Sequence, residues 1–230
     1  MNLEESQFYF ADTLWTLKNR SNFHYDDSEL NAQVYLSTAS QEVAFSYAGN
    51  AINNRVYLEL KDFEIDNVSP WLSRAKSTLV GKLNGNLEIV RNPLKSQVYS
   101  DIVTSQLIVN EVVFGALNLN LDYDDKQEVQ NLKGVVHKGT EKTLEFTGAY
   151  MPLVDSNNFN IAMDVHHFNL KHLERYLSVV DNLEGEGIGA LNFYGDISQP
   201  EFDGEFIVDN LSLSVPYLNV DLNAIGNSNI

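Results

Sequence analysis

The chain contains no cysteine, which removes disulfide scaffolds, thiolate zinc sites and cysteine nucleophiles together. Bases are scarce as well: 15 Lys and Arg stand against 32 Asp and Glu, for a formal net charge of −17. No Lys or Arg follows Arg175, so the last 55 residues hold nine carboxylates and no base. A basic face that displaces counterions from phosphates cannot be assembled, so nucleic acid is excluded as a partner. A polybasic patch for docking on anionic lipid is excluded for the same reason. No apolar run approaches the roughly 18 residues of a membrane span. The opening Met1-Asn-Leu-Glu-Glu5 lacks a basic region leading into an apolar one. Read literally, the chain is soluble and untargeted, and its end at Asn227-Ser-Asn-Ile230 reads as a cut from something longer.

What is present is apolar residue in strict alternation. Of the 230 residues, 43% are hydrophobic, enough for a sizeable core. In Ala116–Tyr123, Leu117, Leu119, Leu121 and Tyr123 fall on one side, and Asn118, Asn120 and Asp122 on the other. Period two over eight residues marks a half-buried strand. The pattern returns in Val56–Leu60, Leu87–Ile89, Phe159–Val165, Phe206–Val208, Leu211–Val215 and Leu218–Leu222. Turn signals separate these runs at Ala48-Gly-Asn, Arg91-Asn-Pro, Asp155-Ser-Asn-Asn and Tyr194-Gly-Asp. The class is all-β. Helical spacing occurs twice, each time for two or three turns. Ser69-Pro70 opens a run through Lys76, and Asn169 caps a run that puts Leu170, Leu173 and Leu177 on one face.

The chain also repeats. Phe63 and Phe168 each precede a helical stretch with an aromatic-Leu pair, Trp71-Leu72 and Tyr176-Leu177. Gly81-x3-Gly85-x-Leu87 then matches Gly185-x3-Gly189-x-Leu191, and Pro93 matches Pro200. Tyr25-Asp-Asp27 recurs as Tyr123-Asp-Asp125. This divides a single elongated domain, 1–230, into copies over about 1–100 and 101–200 and a partial third over about 201–230. Stacked units with a shared greasy face form a quasi-one-dimensional structure. With about ten residues per strand and turn, roughly 20 strands at about 4.8 Å would make a sheet about 90 Å long. Such a sheet must curl around its apolar face or pack that face on another layer.

The order of strand, Phe, short helix with an aromatic-Leu pair, then Leu79-Val-Gly-Lys-Leu-Asn-Gly-Asn-Leu-Glu-Ile89, resembles the translocation and assembly module TamB family, a branch of the AsmA-like repeat proteins. Leu183–Gly195, Pro200-Glu-Phe-Asp-Gly204 and Leu211-Ser-Leu213 carry the second copy, and Phe10-Ala-Asp-Thr-Leu-Trp15 is similar to Bacteroidota-type versions. The resemblance covers most of the chain. It implies a β-taco: an elongated curled sheet of many short antiparallel or mixed strands with two short helices, greasy inside and polar outside. It further implies a periplasmic stretch of an inner-membrane-anchored envelope protein that moves phospholipid toward the outer membrane. A role in assembling outer-membrane β-barrel proteins with a barrel partner is implied too. The N-terminal anchor helix of that family has no counterpart in this sequence.

The chemical motifs read otherwise. Gly185-Glu-Gly-Ile-Gly189 is followed by a strand pattern instead of the helix a phosphate cradle needs, so these are turn or bulge glycines. His166 and His167 point to opposite faces of a strand and cannot share an ion with His172, so no metal is expected. Asp122, Asp124 and Asp125 resemble a hydrolytic acid pair, but Asp124-Asp125 repeats Asp26-Asp27 at a hairpin end, which is turn chemistry. No nucleophile motif is found, so no enzyme and no cofactor is expected. The expected ligand is a phospholipid acyl chain, lined by Leu117, Leu119, Leu121, Phe159, Ile161, Met163 and Val165. A scaffold that pairs nascent barrel strands by β-augmentation and a closed cell-surface β-sandwich are the alternatives.

Overall fold

A computed structural model describes residues 1–68, 78–174, 177, 179–196, 199–224 and 228–229. It is all-β and open. The strands are β1 (Ser6–Phe10), β2 (Thr13–Leu17), β3 (Asn22–Asp26), β4 (Glu29–Ser37), β5 (Glu42–Gly49) and β6 (Asn54–Glu64). After a 3-10 turn at Ile65–Val68 come β7 (Leu79–Arg91), β8 (Ser96–Val109), β9 (Val112–Asp124), β10 (Val129–Lys138), β11 (Glu141–Tyr150) and β12 (Phe159–Asn169). A one-turn helix, α1 (Lys171–Glu174), leads to β13 (Asp181–Asp196), β14 (Gln199–Val215), β15 (Val220–Ala224) and β16 (Ser228–Asn229).

All sixteen strands belong to one sheet, in which sequence neighbours are ladder neighbours, and every pairing is antiparallel. β2 and β3 both pair with β4, at its two halves, so they are one rung broken at Lys18–Ser21. Ser21 Oγ accepts the Tyr35 N–H at that break. β15 and β16 divide β14 in the same way. The ladder thus has fourteen rungs, and at about 4.8 Å per rung it is about 60 Å long. The expected count of about twenty short strands is corrected here. Long rungs, up to the 17 residues of β14, take up chain that the sequence reading assigned to turns.

Because each connection joins adjacent rungs, the turns collect on two rims. One rim carries Ala11-Asp12, 38–41, Ile65–Val68, Asn110-Glu111, Gly139-Thr140, α1 and 216–219. The other carries Asp27-Ser28, 50–53, 92–95, 125–128 and 151–158. Ala11 and Asp12, Asp27 and Ser28, and Asn110 and Glu111 all have positive φ, the two-residue hairpin that matches strand twist. On the second rim Asn50, Asn92 and Asp124 each accept two backbone N–H groups through Oδ1, one device used three times.

Two bulges recur 105 residues apart. The β6–β7 register shifts between Leu60 and Phe63, and the β12–β13 register between Val165 and Phe168. In the first bulge Asp62 has φ 50, and its N–H donates to Asn84 Oδ1 at 2.9 Å.

The stretch expected to form a helix from Ser69-Pro70 lies outside the described residues. The second helix begins as its sequence demands, with Asn169 Oδ1 accepting the Lys171 N–H at 2.9 Å. Its inward face differs from expectation. Leu170 is buried, but Leu173 and Leu177 are about 40% exposed, and His172 packs inward instead. Among the described residues the helix has a single turn, over which a 3.6-residue stripe cannot bury three leucines.

Candidate functional site

Paired residues share a face, so the register assigns every side chain. Leu117 pairs with Val136, which pairs with Leu144, then Val165. Leu119, Gly134, Phe146 and Met163 make the next row, and Leu121, Leu132, Gly148 and Ile161 the third. Phe159 lies in a fourth row with Tyr123, Gln130 and Tyr150. All seven lining candidates therefore occupy one face. The same face continues through Phe193 and Phe202 at one end, and through Ile89, Val56, Tyr47 and Ala32 to Phe23 at the other.

That face is concave. Trp15 on β2 and Phe63 on β6 stand three rungs apart, about 14 Å in a flat sheet, yet their rings lie 6.3 Å apart. Among the described residues no second layer covers it. The total accessible surface is 14667 Å², whereas a compact monomer of 25.9 kDa exposes about 10,500 Å². Leu117, Leu119, Leu121, Ile161 and Met163 are only half-buried, and Phe202 on the same face is 73% exposed.

Burial is uneven across the trough. Val136, Leu144 and Val165 form a packed cluster toward the α1 rim, with Phe114, Phe146, Phe168 and Phe206 against it. Val165 and Phe159 are buried, so these two candidates act as walls more than as contact surface. His172 is fitted between Phe114 and Phe168, with ring centroids 5.3 and 5.5 Å away, and its Nδ1 is buried without a hydrogen-bond partner. Burial, aided by Lys138, holds its pKa below the ordinary histidine value. Desolvation between two rings is what this residue meets. His166 and His167 are exposed at the β12 bulge, and His167 Nδ1 lies 3.5 Å from Glu186.

The glycines read as turn or bulge residues divide. Gly185 has φ 134 beside the register shift of β13, but Gly187 sits mid-strand on the concave face. A Cβ there would fall 1.9 Å from Phe206 Cζ, and at Gly134 one would fall 2.1 Å from Phe146 Cζ. Aromatic rings lie flat over bare backbone, which the alternation of side chains does not signal.

Opposite the packed side, a groove of about 470 Å³ lies between the 92–95 turn and the 151–158 loop, lined by Leu94, Val98, Tyr150 and Leu153 together with Arg91 and Lys95. Leu94 is 82% exposed. Lys95 Nζ sits 2.6 Å from Asp125 Oδ1, and 4.9 Å above the Tyr123 ring. The hydrogen bond from Lys95 holds the Asp125 carboxyl below the usual carboxylate range, and Gln97 Nε2 donates to the same oxygen at 2.6 Å. The repeated acids of the two hairpins do lie at turns of this rim, Asp26-Asp27 and Asp124-Asp125, and Asp122 points to the convex face.

Searches of protein-family models, of curated proteins and of solved structures return no match to this chain.

Proposed function

We propose that the concave face is a passive conduit for acyl chains. The observation that carries this reading is an apolar lining that runs from Phe23 on β3 to Phe202 on β14 and stays partly open to solvent. Burial of each methylene contributes about 0.8 kcal/mol. A lining of similar side chains, row after row, lets a chain slide without a deep well. The resemblance to TamB-like proteins supports the same reading. It would make this chain a length of periplasmic trough between inner and outer membranes, working with a barrel partner. The closed β-sandwich is not supported, because all described strands form one open sheet with excess surface.

Placing a charge in the lining tests the conduit. Leu119→Lys and Met163→Lys each put an ammonium among half-buried apolar rows, and each is expected to lower phospholipid captured in native mass spectrometry by about fivefold or more. Capture unchanged in both variants and in their combination would remove the conduit from consideration.

β-Augmentation remains as a second reading because the ladder ends on β15, paired on one side only among the described residues, with Asp221 as its only charge. Crosslinks from Asn223 to unfolded barrel protein, with no lipid recovered, would favour it.

A further inference from the structure

Charge is distributed over the two faces with one exception. From β4 to β14 the evenly paired rows put carboxylates and cations on the convex face, as with Arg55–Glu88 and Lys61–Glu42. The His137–Lys142 and Lys138–Glu141 pairs lie beyond the β10 bulge, outside these rows, and Lys138 and Glu141 line the cavity of His172 at the packed side. Within the evenly paired rows of the described residues, Arg91 is the exception. It pairs with Ser96 and Asn54 in the row next to Ile89–Val98 and Val56–Ile89, two steps along the same strand, and so belongs to the concave face. It lines the 470 Å³ groove, and the described ion pairs leave it without a carboxylate, since Asp125 is engaged by Lys95 and Gln97.

A lone guanidinium bordering an apolar groove matches an amphiphile with an anionic head. Its planar fork pairs two phosphate oxygens at once, while Leu94, Val98, Tyr150 and Leu153 offer surface to the attached chain. We propose that this groove holds the head group of an anionic phospholipid, with Arg91 on its phosphate and its acyl chain leading into the trough. One cation serves one head group here; no polybasic surface is involved. The inference rests on the conduit reading and adds to it a point of entry and a preference of charge.

The test uses the whole chain and two fluorescent monoacyl probes that share an acyl chain, lysophosphatidylglycerol and lysophosphatidylcholine. The expected result is about tenfold tighter binding of the glycerol head, the worth of one charge-assisted contact. Arg91→Ala and Arg91→Glu should erase that difference, weakening the glycerol head more than the choline head, whose own ammonium already offsets its phosphate, and Arg91→Lys should keep part of it. Circular dichroism of each variant verifies the fold. Equal affinity for both probes, or a preference that survives Arg91→Glu, overturns the head-group site and leaves the conduit standing. Absence of binding by either probe overturns both. Inorganic phosphate that displaces the glycerol probe at concentrations expected for a free-phosphate site would assign Arg91 to phosphate alone and overturn the lipid.

Discussion

At the residue scale, the concave face is built as much from missing side chains as from present ones. Gly134 and Gly187 let Phe146 and Phe206 lie down against the sheet. A β-carbon at Gly134 must displace the ring or bend the strand. Gly134→Val is therefore expected to cost about 1–3 kcal/mol, read as a lower urea midpoint at unchanged slope. Pairing it with Phe146→Ala, which vacates the space, should return part of the loss. No recovery in the double variant would mean that backbone conformation, and not ring contact, requires glycine there. Alternation alone revealed which residues face inward, because period two is a local property of the chain. It was silent on these glycines, since a glycine in a strand leaves the period intact while its use depends on a ring one strand away.

At the element scale, α1 is a one-turn latch on its rim. Asn169 starts it, the Leu183 N–H donates to Glu174 Oε2 at 2.9 Å, and His172 fills the gap between Phe114 and Phe168. The folded-state pKa of His172 lies below its unfolded value of about 6.5, so the unfolded chain binds the proton first as the pH falls. Latch stability is thus complete above about pH 6.5 and declines below it, through the lowered folded value. Hydrogen exchange at Leu173 and Leu183 should accelerate at pH 5 relative to pH 7.5, after correction for intrinsic rates, and His172→Phe should remove most of that change. The same cavity is faced by Lys138, Glu141, His167 and Glu186; a pH effect that persists in full in His172→Phe would show that His172 is not its cause. The start of this helix was legible from Asn169, a capping residue with a local mechanism. Its inward residue was not, because a helix this short takes its orientation from the bulge before it and the rings around it.

At the scale of the whole molecule, an open ladder of fourteen rungs is longer than a globule of equal mass. A compact chain of 230 residues has a radius of gyration of about 17 Å. Small-angle scattering should return about 20 Å or above, with a skewed distance distribution; a value near 17 Å would mean that the concave face closes on itself in solution. The all-β class and the shared greasy side were readable from composition and spacing. Rung length was not, because bulges at Asp62 and His166-His167 let one strand run through positions that break the alternation. Since every link in this sheet joins immediate neighbours, its span is a linear function of chain length, and it can be extended or trimmed inside the ladder only by whole hairpins. Loss of a single internal rung would send each later segment in the reverse direction and exchange the two borders from that point on. Length variation in such a molecule is therefore quantised in steps of two, each adding or removing about 10 Å of reach.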